Sequence, residues 1–481
     1  MLSATTPFSL IIFGASGHLA KLKLYPALYV LTLKKRLPKD YAIVGFARTE
    51  LTEGAFRALV EGSIRAAFAE VTEKALQEFL DHLRYCQGRY DDVKSFVTLR
   101  EQLEAIEKGW KEPVRLAYLS IPPKLFPEVI HNLCKGHVHD PPKPFRCIVE
   151  KPVGSDIKSF EEVQKLLTSC FKQDEIYLLD HYLGKEAVRN VYFLRFANPL
   201  LERICKNTLI HHVEITASEP GGIEGRAGYF EHTGTFRDMF QSHLLQIVSL
   251  MTMRLGETEE ALLHTRFDAL QQFYIPPAAS LDDVILCGQY SAGKIGGQAV
   301  AGYREEPDIE HDSRTNTFVA LKLMSRTPRW QGVPFVLRSG KRLKKKETRI
   351  SIQFQISHPV GEGSGPNRLD IILQGEAGMR IFLQTKIGGS EPSFRPLILS
   401  DPLVCVGDCL PEHGLLLLEA IRGKQTWFLT FDEVRTAWRL IDPLQTYLNH
   451  EKTTLHMYNA GTDGPATMKE WIAKDGMKWL E

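Results

Sequence analysis

The sequence predicts two folds in one chain. An α/β domain with a Rossmann-like, doubly wound parallel sheet precedes an α+β domain with a large, mostly antiparallel sheet. Over the first 180 residues, apolar strands alternate with segments of helical spacing, and a glycine turn joins the first strand to the first helix. After residue 180, several strands alternate apolar and polar residues, and few long helices separate the later ones. Because 481 residues exceed one ordinary core, we place the domains at 1–180 and 181–481.

The composition narrows the class of protein. Hydrophobic residues make up 43% and charged residues 24%, and the net charge is only +1, so we expect neither a nucleic-acid partner nor a membrane partner. The apolar run Leu10–Phe13 leads directly into a glycine turn, which indicates a strand and no signal peptide. The eight cysteines are scattered without metal-ligand spacing, which predicts reduced thiols, a cytoplasmic location and no metal site.

The first strand and its turn form a candidate phosphate-binding element. The strand ends at Phe13 and is followed by Gly14-Ala15-Ser16-Gly17-His18-Leu19-Ala20, after which helical spacing continues to about Lys34. A strand, a glycine turn and a helix together aim backbone N–H groups and the positive helix end at a pyrophosphate. Gly14 would allow the tight turn and Gly17 the close phosphate approach. The spacing differs from the common GxGxxG, and many such turns bind nothing.

The second strand indicates which nucleotide is bound. Tyr41–Phe46 ends in Ala47-Arg48-Thr49, where NAD-preferring folds tend to place an acid that contacts the ribose 2′-hydroxyl. An arginine at this position suits a 2′-phosphate, so Arg48 favours NADP. The alternative is an ordinary surface arginine at a strand end.

Further βαβ elements bring candidate ligands to the same edge of the sheet. We predict a helix over 52–69, strands over 114–120 and 146–149, and a helix that begins with a capping box at Ser159 and Glu162. Lys151 follows the last of these strands beside Pro152. Ligands of doubly wound sheets lie beyond the carboxyl ends of the strands, where the Gly14 turn, Arg48 and Lys151 all fall.

Side chains with four kinds of chemically useful group fall close together in the stretch Asp180-His181-Tyr182-Leu183-Gly184-Lys185-Glu186. Asp180 offers a carboxylate that could orient a base, and the donors of His181, Tyr182 and Lys185 suit an anion, most simply a phosphate. The alternative is a charged loop between two ordinary elements.

The second domain adds a helix and two loops. The helix is expected over 236–254, and in an α-helix its polar residues Asp238 and His243 would lie about 140° apart and so not on one narrow face. A lone helical histidine is usually structural. A turn-rich loop begins at Glu219, and a basic loop follows Gly340 with Lys341 and continues to Lys346, although such loops are most often solvated surface. The predicted strands cover 209–218, 318–324, 334–339, 349–356, 369–373 and 379–386.

Taken together, the motifs resemble those of glucose-6-phosphate dehydrogenases in their order and spacing over nearly the whole chain. The matching motifs are GASGxLAKxKLxPALY, GxAR, EKPxG, DHYLGKE, RFAN, EPxGxEGRxGYF, RDMxQxHLLQ and RSGK. The resemblance implies oxidation of glucose 6-phosphate at C1 to 6-phosphogluconolactone with formation of NADPH.

The resemblance also implies the role of each residue. His243 is similar to the general base and Asp180 to the residue that orients it. Lys151 is similar to a lysine between cofactor and substrate, followed by a cis Pro152. The implied cofactor-binding residues are Gly14, Ala15, Ser16, Gly17, His18, Leu19, Ala20, Lys21, Arg48 and Lys151. The implied substrate-binding residues are Lys151, His181, Tyr182, Lys185, Glu219, Asp238, Lys341 and Lys346.

The sequence departs from the family pattern in two places, and alternatives remain. His18 stands where the family usually has aspartate, and the lysines that hold an additional structural NADP in animal members are not evident around Arg380. The resemblance implies a homodimer or homotetramer through the large sheet. Alternatives are a dehydrogenase of a non-phosphorylated sugar, which the three anion donors oppose, and a non-catalytic sensor, which retention of Asp180 and His243 opposes. Some family members accept NAD as well as NADP.

Overall fold

The computed structural model describes residues 6–256, 258, 261–356, 365–391, 393–403, 405, 407–450 and 453–480. The chain divides into two compact units. The first unit takes in Met1–Glu186 and Gly407–Phe431, and the second takes in Ala187–Val406 and Asp432–Glu481. Residues 407–431, which fall within the predicted second domain, lie in the first unit.

The first unit contains a six-stranded parallel sheet. Its strands are β1 (Phe8–Phe13), β2 (Tyr41–Ala47), β3 (Leu83–Gln87), β4 (Val114–Leu119), β5 (Phe145–Glu150) and β6 (Ile176–Leu179). Their order in the sheet is β3-β2-β1-β4-β5-β6, which is the doubly wound order predicted from the alternation of strands and helices. Every residue of β1, β2 and β4 is buried, as expected for strands covered on both faces. The strand order reverses between β1 and β4, and ligands bind at such a point in this class of fold.

The second unit contains a ten-stranded, mostly antiparallel sheet, as predicted. Its path is β17-β16-β15-β14-β7-β13-β12-β9-β18, with β8 paired to β12, and the two parallel pairs are β7 with β13 and β9 with β18. A separate two-stranded hairpin is formed by β10 and β11. The strands are β7 (Ile210–Ser218), β8 (Phe273–Tyr274), β9 (Ile285–Ser291), β10 (Gly293–Ile295), β11 (Gln298–Val300), β12 (Phe318–Ser325), β13 (Phe335–Gly340), β14 (Glu347–Phe354), β15 (Arg368–Gln374), β16 (Gly378–Lys386), β17 (Phe394–Pro402) and β18 (Leu455–Asn459).

The described residues also form α-helices in both units. They are α1 (Tyr25–Leu33), α2 (Glu53–Ala67), α3 (Glu73–Asp81), α4 (Val93–Ile106), α5 (Phe126–Lys135), α6 (Ile157–Thr168), α7 (Glu186–Ala197), α8 (Pro199–Ile204), α9 (Ala227–Thr235), α10 (Leu245–Thr252), α11 (Ala261–Gln271), α12 (Glu412–Arg422), α13 (Phe431–Leu448) and α14 (Met468–Ala473). None of the described helices is both long and apolar enough to cross a bilayer.

Three local predictions differ from the structure. Helix α6 begins earlier than predicted, because its N-cap is Asp156, which forms a capping box with Ser159, and not Ser159 itself. The segment predicted as one helix over 236–254 begins with a π-helix at Phe236–Leu244 before α10. Cys134 and Cys170 form a disulfide, and Cys405 and Cys409 are also disulfide-bonded, although all eight cysteines were expected to be reduced. Packing of the chain between α5 and β6 joins Cys134 and Cys170 from positions 36 residues apart, which sequence spacing does not reveal.

Candidate functional site

The glycine turn after β1 is held against both neighbouring strands. Gly14 adopts a φ of +80°, and a β-carbon there would lie 2.3 Å from the backbone oxygen of Ser120, directly after β4. Its N–H donates to the Phe46 carbonyl of β2 at 3.0 Å, and the Gly17 N–H donates to the Gly14 carbonyl at 2.8 Å. Only glycine suits this combination of left-handed backbone and close approach.

The helix that follows the turn presents its amino end at the carboxyl edge of the sheet. Helical structure begins at exposed His18, continues as a π-helical turn over Ala20–Leu24 and becomes α1 at Tyr25. Buried Ala20 packs inward, while Lys21 is half-buried. The first N–H groups of such a helix have no partner within it, so they are available to an anion.

Arg48 lies at the end of β2 beside this turn. Its side chain is exposed, and its guanidinium carbon lies 5.8 Å from the centre of the Tyr90 ring. The turn and the end of β2 are further joined by Ser16 and Thr49, whose hydroxyl oxygens are 2.9 Å apart. The Gly14 turn and Arg48 are therefore brought to one edge, as the sequence predicted for strands of this sheet.

Tyr90 was not predicted as a site residue, because no motif in the neighbouring sequence indicates such a role. The Tyr90 side chain is 6% exposed, and burial raises the pKa of its phenol, while a hydrogen bond with the backbone of Gly14 and the charge of Arg48 act in the opposite direction. Tyr90 thus contacts both the glycine turn and the arginine that follows β2.

Two predicted residues follow the ends of β5 and β6. Lys151 comes directly after β5, and the peptide bond between Lys151 and Pro152 is cis, as predicted. Asp180 follows β6 and is fully buried. One oxygen of its carboxylate accepts the Tyr182 N–H at 2.8 Å, which caps the short 3₁₀ helix His181–Gly184.

The anion donors after Asp180 form a compact cluster. The Lys185 Nζ lies 3.6 Å from the centre of the Tyr182 ring, and the rings of His181 and Tyr182 pack edge to face at 5.1 Å. Gly184 permits this turn to approach α12, because a β-carbon there would lie 2.5 Å from the Glu412 carbonyl oxygen. The residues 407–431 that return to the first unit therefore support this cluster.

In the second unit, three adjacent strands bring Glu219, Lys341 and Lys346 to one edge. In the register of the sheet, Ser218 at the end of β7 lies opposite both Gly340 of β13 and Glu347 of β14. The next residues are consequently neighbours: the Lys341 Nζ donates to a Glu219 carboxylate oxygen at 2.9 Å, while Lys346 is exposed. The Lys341 residue is only 5% exposed, so this carboxylate compensates a nearly buried ammonium.

Asp238 and His243 both lie in the π-helix Phe236–Leu244. In a segment with i→i+5 hydrogen bonds, residues five apart are separated by about one turn, so the two side chains lie nearer to one face than an α-helix would allow. The predicted separation of about 140° assumed an α-helix, whereas this segment is a π-helix. The Tyr229 hydroxyl donates to an Asp238 carboxylate oxygen at 3.3 Å, and burial together with Asp238 raises the pKa of Tyr229. His243 is 3% exposed.

A second residue that sequence reasoning missed, Asn316, secures the start of the π-helix. Its side-chain oxygen accepts the Phe236 N–H, and its carbonyl accepts the Thr235 N–H, both at 2.9 Å. Gly234, with a φ of +62°, passes close to the same side chain. Asn316 is distant in sequence and carries no motif, so only the fold reveals its position.

Comparisons with known proteins cover almost the full length. Residues 11–190 match the family profile described as "Glucose-6-phosphate dehydrogenase, NAD binding domain", and residues 192–480 match "Glucose-6-phosphate dehydrogenase, C-terminal domain". Glucose-6-phosphate 1-dehydrogenase of Chlamydia pneumoniae is 36% identical over 98% of this chain and 96% of its own. The enzyme of the same name from Streptococcus pneumoniae is 34% identical over 97% and 95%.

Solved structures give the same result. A glucose-6-phosphate dehydrogenase in complex with its substrate glucose 6-phosphate superposes with a TM-score of 0.89 at 30% identity, covering 100% of both chains. Glucose-6-phosphate 1-dehydrogenase from Mycobacterium avium superposes with a TM-score of 0.84 at 27% identity, covering 99% of both chains.

Proposed function

Because the chain belongs to the glucose-6-phosphate dehydrogenase family, we propose that it oxidises D-glucose 6-phosphate at C1 to 6-phospho-D-glucono-1,5-lactone, with NADP as hydride acceptor. This is the first oxidative step of the pentose phosphate pathway. The observation that carries the proposal is the match of both family profiles across residues 11–190 and 192–480, with the predicted site residues present in the matched motifs.

His243 is the proposed general base. The reaction requires a proton to leave the C1 hydroxyl while hydride leaves C1, and a neutral imidazole accepts a proton near physiological pH. Asp180 is proposed to orient the imidazole and to stabilise its protonated form. Its buried carboxylate is itself held in place by the Tyr182 N–H. NADP, when bound, accepts the hydride.

The phosphate of the substrate is assigned to His181, Tyr182 and Lys185. Their clustering supports the assignment, because one ammonium, one phenol and one imidazole converge within a single turn after β6. Donors of this kind, one of them cationic, suit a phosphate better than a neutral hydroxymethyl group.

The sugar hydroxyls are assigned to Glu219 and Asp238, with Lys341 and Lys346 beside them and Lys151 between cofactor and substrate. The Glu219–Lys341 pair supports this, since the hydrogen bond from the ammonium uses one lone pair of the carboxylate and leaves the others for a hydroxyl donor. Lys346 adds positive charge at the same sheet edge.

The residues around the first turn fit a nicotinamide dinucleotide, and Arg48 favours NADP. The turn from Gly14 to Gly17 opens a helix at the edge where the strand order reverses, which suits a pyrophosphate. An exposed arginine after β2 suits a 2′-phosphate. The cofactor residues proposed beside Arg48 are Gly14, Ala15, Ser16, Gly17, His18, Leu19, Ala20, Lys21 and Lys151.

We also propose that the chain is a cytoplasmic homodimer or homotetramer that assembles through the large sheet. Strand β17 is its edge, and the consecutive residues Leu397, Ile398 and Leu399 there are 37%, 55% and 50% exposed. Apolar residues exposed on both faces of an edge strand favour pairing with another chain. For the cytoplasmic location the support is that Cys86, Cys147, Cys205 and Cys287 remain thiols, although the other four cysteines are disulfide-bonded.

The test compares formation of reduced nicotinamide with glucose 6-phosphate or glucose, each with NADP or NAD. We expect rapid reduction only with glucose 6-phosphate, and faster with NADP. His243→Asn should lower kcat by orders of magnitude with little change in KM, as for a lost general base. The control is His264→Asn, which removes an exposed histidine from α11 and should leave kcat unchanged. Unchanged turnover in folded His243→Asn would remove His243 from the mechanism, and inactivity of the parent with all four pairs would refute the reaction.

A further inference from the structure

A group of reactive side chains lies at the opposite edge of the first sheet from the proposed cofactor residues. Cys134 lies in the last turn of α5, His139 precedes β5, and Cys170 and Glu175 lie between α6 and β6. These segments lead into the amino ends of β5 and β6, whereas Lys151 and Asp180 follow the carboxyl ends of the same strands. The group is therefore not explained by the proposed dehydrogenase chemistry, and the inference drawn from it does not depend on that proposal.

Cys134 and Cys170 are joined by a disulfide, and His139 lies beside it. The His139 Nδ1 is 3.8 Å from the Cys134 Sγ, and the other ring nitrogen, Nε2, is 3.3 Å from a Glu175 carboxylate oxygen. Both cysteines are only partly buried, whereas His139 is 7% exposed. Partial exposure of the two cysteines would let a small solute thiol or disulfide approach them from solvent, whereas the imidazole is buried.

The imidazole is held by two aromatic rings and a carboxylate. Its ring packs edge to face on Phe145 and Phe171, with ring centres 5.0 and 5.2 Å away, and these two rings stack on each other. Glu175 is fixed in turn, because its carboxylate accepts the Lys172 N–H at 2.7 Å. With Nε2–H donated to Glu175, Nδ1 is left as an acceptor that faces the sulfur of Cys134.

This is the order of groups that activates a nucleophile: a thiol, a base within reach, and a carboxylate that orients the base. We propose that Cys134 is the nucleophile of a reversible thiol–disulfide exchange site, with Cys170 as its resolving partner and His139 and Glu175 as positioning residues. Its substrates are small disulfides in one direction and small thiols or dithiols in the other.

The exchange balances in two steps. With the pair reduced, His139 takes the Cys134 proton, and the thiolate attacks a small disulfide, which forms a mixed disulfide and expels one small thiolate. The Cys170 thiolate then attacks the Cys134 sulfur and expels the second. In total the two protein thiols lose two electrons and two protons, and the small disulfide becomes two thiols. Excess dithiol reverses both steps.

The four cysteines that are not disulfide-bonded supply an internal comparison. Burial raises the pKa of the thiols of Cys86 and Cys205 to about 11 and that of Cys287 to about 12, and it raises the pKa of Cys147 still further. These four thiols are buried and protonated, so they react slowly with alkylating reagents.

The experiment reduces the full chain with dithiothreitol under native conditions, removes the reductant without air, and times alkylation of each cysteine by iodoacetamide with peptide mass mapping. We expect Cys134 to react at least about tenfold faster than the four buried thiols. His139→Gln should remove most of this advantage, and Glu175→Gln, which preserves size, should remove part of it. His137→Gln alters an exposed histidine of the same segment and should change nothing.

A trapping arm distinguishes the two sulfurs. With glutathione disulfide, Cys170→Ser should accumulate one glutathione on Cys134, because the resolving thiol is gone, whereas Cys134→Ser should accumulate little on Cys170. Each of the following results would overturn the proposal: preferential trapping on Cys170, an unchanged Cys134 alkylation rate in folded His139→Gln and Glu175→Gln, or a pair that native dithiothreitol does not open. Protection of Cys134 by stoichiometric Zn²⁺, reversed by a chelator, would also overturn it in favour of a metal site.

Discussion

Replacing Arg48 by alanine tests which nucleotide the first unit recognises. The Arg48 side chain is exposed and lies over Tyr90 at 5.8 Å, so its removal should cost little free energy of unfolding. A hydrogen bond between an arginine and a phosphate contributes roughly 1.5–3 kcal/mol, which corresponds to a factor of about 10 to 150 in kcat/KM. NAD lacks the 2′-phosphate, so its kcat/KM should change by less than about threefold.

The assay measures initial rates with glucose 6-phosphate at saturating concentration while NADP or NAD is varied. Arg65→Ala is the matched control, because it removes one exposed arginine from α2 of the same unit, where Arg65 pairs with Glu61 and Glu73. It should leave the ratio of the two kcat/KM values unchanged. Proportional losses with NADP and NAD in Arg48→Ala would refute the reasoning, since a general electrostatic effect would then explain them.

The remaining predictions concern the phosphate cluster, the turn and the sheet edge. In steady-state kinetics, Lys185→Ala should raise KM for glucose 6-phosphate by roughly 10- to 150-fold with little effect on KM for NADP. Lys165→Ala on α6 should change neither KM. Equal increases in both KM values for Lys185→Ala would contradict the assignment of Lys185 to the substrate phosphate. Gly14→Ala should lower the free energy of unfolding by more than about 2 kcal/mol, because strain of the left-handed backbone adds to a clash with Ser120. The control Gly62→Ala in α2, where a β-carbon meets nothing within 4 Å, should raise the free energy of unfolding by about 0.5–1 kcal/mol. Denaturant titration measures both values, and similar changes in the two variants would contradict the role of the turn. Ile398→Asp on β17 should shift the sedimentation coefficient towards that of the monomer. Leu22→Asp, which alters an equally exposed residue of the first unit, should not. An unchanged oligomer in Ile398→Asp would exclude the β17 edge from the interface.

The first unit was largely predictable because its signals are local. Strand, turn and helix follow one another within some 25 residues around Gly14, and a parallel sheet places the ends of its strands at one edge whatever the helices contain. The strand order and the proximity of Arg48 to the turn agree with that reasoning. Tyr90 was missed since its contact with the turn depends on the packing of the loop after β3, which leaves no periodic pattern.

Local geometry that departs from the regular helix was not predictable. The segment Phe236–Leu244 has the apolar spacing of an α-helix, and periodicity cannot distinguish it from a π-helix. The distinction matters for Asp238 and His243, because it decides whether five residues span about one turn. The Cys134–Cys170 disulfide was not predicted for a related reason. The two cysteines meet only after α5, β5 and α6 have packed.

The Glu219–Lys341 pair shows where sequence reasoning ends and the fold begins. The two residues are 122 positions apart, and each lies in a loop whose composition is also typical of solvated surface. They meet because β7 and β13 are adjacent and parallel, an uncommon pairing in this largely antiparallel sheet, so that both strands end at the same edge. Strand β14 runs the other way, and for that reason Lys346 reaches this edge from the beginning of its strand and not from the end. An antiparallel β7 and β13 would have separated Glu219 from Lys341 by the length of a strand, about 20 Å for six residues. The contact between Glu219 and Lys341 is therefore a consequence of strand order. Periodicity does not encode strand order, and before the structure only the resemblance to a family could supply it.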